Sequence, residues 1–190
     1  MLYINSTLTS TEVSFELYSE SLWVEVNLYG KVNLMIGVCY RAPAISNIEE
    51  MNLFNTMREM AKKPSIIMGD FNFPDVNWSS MEAGPTGEAF MDLVQDSFLF
   101  QNVDRPTRSD NMLDLVFSSE LDMVKELNVA CPIANSDHCI ITWYMLYDNA
   151  EFQTIKEAEQ LFNYEKGNYK MMDQHLIAID WDSMFGEWGH

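Results

Sequence analysis

The chain has 190 residues, 47% of them hydrophobic and 13% aromatic, which is enough to bury a sizeable core and too apolar for a disordered segment. Its formal net charge of -18 excludes a protein that grips a polyanion through a broadly basic surface, because lysine and arginine contacts usually supply most of that affinity. No stretch approaches the apolar length of a bilayer span, and Met1 to Val13 has neither a basic segment nor a long apolar run. The expectation is a soluble intracellular protein, nuclear or cytoplasmic, without signal peptide or membrane segment.

Leu22 to Leu28 alternates apolar and polar residues, Tyr29-Gly30 supplies a turn, and Lys31 to Tyr40 runs apolar again, so a hairpin is expected. Arg41-Ala42-Pro43 ends the second strand. Ile48, Met51, Leu53, Phe54 and Met57 recur at helical spacing from Asn47 to Met60, and Pro64 closes that helix. Ser65 to Met68 is a short apolar run, as in a strand buried on both faces, and it ends abruptly in Gly69-Asp70-Phe71-Asn72. Pro74, Gly84, Pro85 and Gly87 mark a loop, after which Glu88 to Phe98 returns to helical spacing.

Arg105 to Asn111 is polar and turn-rich, and Met112 to Phe117 reads as a strand with one carboxylate, Asp114, inside it. Val124 to Ala130 is a further short strand, and Asn135-Ser136-Asp137-His138 leads into a last one, Cys139 to Leu146. From Asp148 onward the composition turns charged and more helical. The expected organisation is therefore one domain over residues 1–148 and an appended segment over 149–190, with no internal repeat. Cys39, Cys131 and Cys139 form an odd set without C-x-x-C spacing and are expected as buried, reduced thiols. Trp23, Trp143 and Trp181 are expected to pack in core or linker rather than to stack on bases.

Three strand ends thus deliver unusual polar residues: Asp70 and Asn72, then Asp114, then Asp137 and His138. Hydrolysis of a phosphodiester needs a neutralised non-bridging oxygen, an activated water and a stabilised leaving oxygen. Asp137 suits Mg²⁺ or Mn²⁺, hard cations that take oxygen ligands. Asp70 would orient or deprotonate the water, with Asn72 donating a hydrogen bond to phosphate. His138 paired with Asp114 would be held in one tautomer facing phosphate, and Tyr40 could donate to the same oxygen. Taken singly, each residue has a plainer explanation as a turn, a satisfied structural carboxylate or a strand cap. Their ordered combination is much rarer.

Gly69-Asp70-Phe71-Asn72, Leu113-Asp114-Leu115-Val116-Phe117 and Ser136-Asp137-His138, in that order, resemble the exonuclease III and DNase-I-like endonuclease/exonuclease/phosphatase superfamily. Val38-Cys39-Tyr40-Arg41-Ala42-Pro43 fits the same pattern. Within it, Met68 to Asp75 and Arg105-Pro106-Thr107-Arg108 resemble the endonuclease of LINE-type non-LTR retrotransposons, and Phe162 to Trp181 looks like the linker before its reverse transcriptase.

The resemblance implies an α+β fold, a four-layer sandwich of two packed mixed β-sheets flanked by helices, incomplete at the N-terminus. It also implies Mg²⁺-dependent cleavage of DNA and a reverse transcriptase domain in the parent polyprotein. By position it assigns Tyr40 to phosphate contact, Asp70 and Asn72 to the water, Asp137 to the metal region, and Asp114 with His138 to a supporting pair. Members of the family carry an earlier motif with an Asn and a metal-ligand Glu. No segment matches it, and Glu12, Glu16 and Glu20 lie too close to the first strand to replace it. Two alternatives stand beside the nuclease: a non-catalytic retroelement remnant or protein-binding module, and a superfamily member acting on a lipid or inositol phosphate.

Overall fold

The computed structural model describes residues 1–14, 18–28, 32–133 and 135–145, together with residues 170, 171 and 177. The chain divides into two compact units, Met1–Tyr147 and Asp148–His190. In the second unit Lys170, Met171 and Ile177 are helical. The linker expected over 149–190, with Trp181, otherwise lies outside the described residues, as do the Tyr29-Gly30 turn and Glu16.

In the first unit a six-stranded sheet has the order β1-β2-β3-β4-β8-β7. Its members are β1 (Thr9–Val13), β2 (Ser21–Leu28), β3 (Val32–Tyr40), β4 (Ser65–Asp70), β7 (Phe100–Gln101) and β8 (Asp114–Ser118). β2 and β3 pair antiparallel from Ser21↔Cys39 to Leu28↔Val32, as the alternation predicts. β3 and β4 run parallel, with α1 (Asn47–Ala61) as their crossover, and every other pairing is antiparallel. The sequence pattern missed β1, which is mostly polar and exposed at the sheet edge, and β7, which is two residues long.

Side chains alternate across this sheet and so create two cores. Trp23, Met35, Ile67, Leu115 and Phe117 face one cluster, into which α1 sends Leu53, Phe54, Met57 and Met60, and α2 (Glu88–Asp96) sends Phe90, Met91, Leu93 and Val94. Val24, Val26, Leu34, Ile66 and Val116 face the other. There a two-stranded ribbon, β9 (Val124–Ala130) with β10 (Ile140–Met145), packs Leu127, Val129, Ile141, Trp143 and Met145 against them. This is the expected α+β arrangement of two packed sheets with flanking helices. Among the described residues the second sheet is a ribbon, and both helices lie against the first sheet.

α1 begins on a capping box. The Glu49 N–H donates to Ser46 Oγ (3.3 Å) and the Ser46 N–H donates to a Glu49 carboxylate oxygen (3.2 Å). Ile48 and Met51, expected on the apolar stripe, are exposed, because the face that meets the sheet starts a turn later at Leu53. Cys131, expected to be buried, is exposed just beyond the end of β9, whereas Cys39 is buried. Between β4 and α2 the expected loop carries a minimal ribbon, β5 (Val76–Asn77) with β6 (Glu82–Ala83).

Trp23 covers the open space over Gly37 on the neighbouring strand, where an added Cβ would stand 2.2 Å from the indole Cζ3. Trp23 is only 1% exposed and has nowhere to retreat. Gly37→Ala should therefore overpack this core and lower the unfolding free energy by about 1–3 kcal/mol. Urea denaturation followed by tryptophan fluorescence would measure this, and an unchanged midpoint would contradict the packing described.

Candidate functional site

Tyr40, Asp70 and Asp114 occupy one continuous rung. Tyr40 pairs with Asp70 across the parallel β3–β4 ladder, and Asp70 pairs with Asp114 across the antiparallel β4–β8 ladder. Two C-terminal strand ends and one strand start therefore meet at the same edge of the sheet. Gly69 permits the approach. Its φ is +154°, and a Cβ there would stand 1.8 Å from the Cys39 carbonyl oxygen.

Beyond the end of β4 the chain keeps a two-residue period. Phe71 and Phe73 enter the core, stacking on Phe90 at centroid distances of 5.2 and 4.4 Å. Asp70 and Asn72 are left on the opposite side. Asn72 has φ +51°, a left-handed conformation that its short amide tolerates better than most side chains. Its backbone N–H donates to Asp70 Oδ1 (3.2 Å) and its Nδ2 donates to the Arg41 carbonyl (2.8 Å). Arg41 in turn donates from Nη1 to the Asn72 carbonyl (3.1 Å), pairs with Glu50 (2.6 Å) and lies 4.0 Å over the Phe73 ring. The side-chain amide expected to reach phosphate is thus engaged in a latch between two strand ends.

His138 arrives from the turn before β10. Its Nδ1 lies 3.0 Å from both carboxylate oxygens of Asp114, so Asp114 accepts from Nδ1–H and leaves Nε2 as the free ring nitrogen. Asp137 is 63% exposed and lies on the far side, its Oδ1 3.8 Å from His138 Nε2. Arg108 claims its other oxygen, with Nε and Nη2 each 2.7 Å from Asp137 Oδ2.

Burial, and then the like charge of Asp114, push the Asp70 carboxyl above the usual carboxylate range, while His138 and Asn72 pull the other way. Hydrogen bonding within its own backbone and the Arg108 guanidinium hold Asp137 below that range. Asp70, Asp114 and His138 each offer a ligand atom within 4.8 Å of the others. Among the described residues, this is the one group of three such side chains that could hold a metal ion. Carboxylate oxygens from two adjacent strands of one rung fit a hard divalent cation with water completing its shell, whereas His138 Nδ1 is already occupied by Asp114. No Glu joins the group among the described residues: Glu12 sits in the edge strand β1, and Glu20 uses its carbonyl to accept from the Tyr40 N–H (2.9 Å).

The structure therefore gathers Asp70, Asp114 and His138, sets Tyr40 on their rung and Asp137 beside them, and turns the Asn72 side chain to Arg41. Sequence reasoning passed over Arg41 and Arg108. Each stood in a quoted motif, but only the folded chain shows the carboxylates they meet.

Residues 34–142, more than half of the chain, match the family described as endonuclease-reverse transcriptase. The chain belongs to that family. The matched span contains Tyr40, Asp70, Asn72, Asp114, Asp137 and His138. The fold is similar to the endonuclease domain of TRAS1, a telomere-specific non-LTR retrotransposon, with a TM-score of 0.59 and 20% sequence identity over 73% of this chain and 67% of that one. No curated protein matches. No helix among the described residues is long and apolar enough to cross a membrane.

Tyr18 supports the Tyr40 end of the rung by donating its hydroxyl to the Tyr40 carbonyl (2.6 Å). Burial, followed by the neighbouring Cys39, Glu20 and Glu49 charges, pushes its pKa from 10.0 up to about 12, and burial pushes Cys39 from 9.0 up to about 12. A raised pKa means that the folded state holds the proton more tightly than the unfolded state does. The Tyr18 contribution is therefore complete below pH 10.0 and is lost as pH rises towards about 12. Urea midpoints across that window should fall steeply for the unaltered chain and less steeply for Tyr18→Phe. Parallel slopes would contradict this role.

Proposed function

We propose that the rung and the His138 turn form the hydrolytic site of a retrotransposon-type DNA endonuclease, with a reverse transcriptase domain in the parent polyprotein. The observation that carries this reading is the Asp70–Asp114–His138 group, built from three separate strand ends inside the segment that matches the family. Asp70 orients the attacking water, and the Asn72 backbone N–H holds that carboxylate in place. Asp114 fixes the tautomer of His138, whose Nε2 faces the phosphate, and Tyr40 donates its exposed hydroxyl to a non-bridging oxygen.

Oxygens of Asp70 and Asp114, with Asp137 as a further carboxylate at the same mouth, would hold Mg²⁺ or Mn²⁺. When bound, such an ion neutralises phosphate charge and favours ionised water. Asn72 acts in this reading by hydrogen-bonding Asp70 through both its side chain and its backbone N–H, and through the Arg41 latch. Residues 1–148 form the nuclease portion and 149–190 the connection towards the reverse transcriptase.

One observation favours a second reading, that of a non-catalytic binding module: Arg108 already neutralises Asp137, the carboxylate assigned to the metal region. Nicking of supercoiled plasmid in Mg²⁺ separates the two. The nuclease reading predicts that Asp70→Ala and His138→Ala lower the rate by about 10²-fold or more. Equal conversion by the unaltered chain and both variants would eliminate the hydrolytic role.

A further inference from the structure

Thr107 is a fully buried polar residue in an otherwise solvent-facing turn: Arg105, Pro106, Ser109, Asp110 and Asn111 around it are exposed. A buried hydroxyl in such a place calls for partners. Thr107 Oγ1 accepts from the backbone N–H of Leu113 (3.1 Å) and of Asp114 (2.9 Å). Its carbonyl accepts from the Cys139 N–H (2.8 Å), the amide that directly follows His138. One residue therefore grips the chain at Asp114 with its side chain and the chain at His138 with its backbone.

The turn that presents Thr107 is itself closed. Thr107 N–H and Arg108 N–H both donate to the Asn111 carbonyl (2.9 and 3.1 Å), Asn111 N–H returns to the Arg108 carbonyl (3.0 Å), and Ser109 takes the left-handed conformation at the tip, with φ +52°. β8 lies in the large sheet and β10 in the ribbon, so Asp114 and His138 meet through their side chains, at 3.0 Å, with the Arg108–Asp137 ion pair as a more exposed tie between the same two segments. Ordinary ladder hydrogen bonds cannot fix their separation.

We infer that Thr107 is the positioning residue of the His138–Asp114 pair, a clamp between the two sheets that sets which imidazole nitrogen faces the substrate. As a contribution to turnover this rests on the hydrolytic reading above. The clamp itself can be tested without substrate or metal. Thr107→Val removes the acceptor at nearly constant volume, and Thr107→Ser keeps it.

The readout is the His138 Nδ1–H signal in a ¹⁵N–¹H imidazole correlation spectrum of the 190-residue chain, assigned by its loss in His138→Gln. Thr107→Val should speed exchange of that proton by about tenfold or more, while Thr107→Ser restores slow exchange. Unchanged exchange in Thr107→Val would overturn the clamp, and so would equal acceleration in both variants, which would assign the effect to packing of the methyl group. If Thr107→Val does not fold, native-state amide exchange on the unaltered chain decides. The clamp requires Leu113, Asp114 and Cys139 to be protected together, and free exchange at Asp114 or Cys139 overturns it. Intact clamp signals in a chain that nicks no plasmid would reject the nuclease reading while leaving the positioning role standing.

Discussion

The close contact between β3 and β4 at Cys39 and Gly69 governs the site. It brings the two parallel strands to a common end, so that Tyr40 and Asp70 fall on one rung, and β8 continues that rung with Asp114. A side chain at residue 69 would collide with backbone rather than with a movable side chain, so the position has no ready substitute for glycine. Phe71 and Phe73 then anchor the emerging chain in the aromatic core. Their burial, about 1.5–3 kcal/mol for each side chain, outweighs the left-handed conformation imposed on Asn72 between them.

The same rung creates an electrostatic difficulty. Asp70 and Asp114 are like charges on adjacent strands, both partly buried, an arrangement that ordinarily destabilises a sheet. Neighbours offset it in part: His138 takes both Asp114 oxygens, and the Asn72 N–H turns to Asp70. A divalent cation would complete the compensation. Arg41 and Arg108 bring positive charge to this edge of a chain whose net charge is -18, and both are paired with carboxylates, Glu50 and Asp137. Here the overall charge says little about the local field, because two of the four arginines stand at this edge.

Much of this was legible from the residues. The strand end at Asp70, the β2–β3 hairpin, both helices and the two separate strands β9 and β10 follow from periodicity and turn chemistry, since each signal is local, whereas β8 starts at Asp114 rather than at Met112 and the β9–β10 pairing is seen only in the fold. Parallel pairing of β3 with β4, which decides that Tyr40, Asp70 and Asp114 align, is a long-range fact that no local pattern contains. The same holds for Asn72. Its amide meets the carbonyl of Arg41 across the β3–β4 junction, a contact that its neighbours in sequence do not show. Thr107 looked like one more polar residue in a turn, and only burial distinguishes it from Ser109. Polar and two-residue strands such as β1 and β7 carry no periodic signal, because their pairing partners rather than their own side chains make them strands.

The central claim is that separate strand ends assemble one cation-accepting site in this chain. Paramagnetic broadening by substoichiometric Mn²⁺ tests it most directly in a ¹H–¹⁵N amide spectrum. The account predicts selective loss of the Asp70, Asn72, Asp114, Asp137 and His138 signals, with Glu49, Glu50 and Glu59 on α1 still sharp. Broadening spread over the acidic surface, or confined to α1 with the rung unaffected, would contradict it.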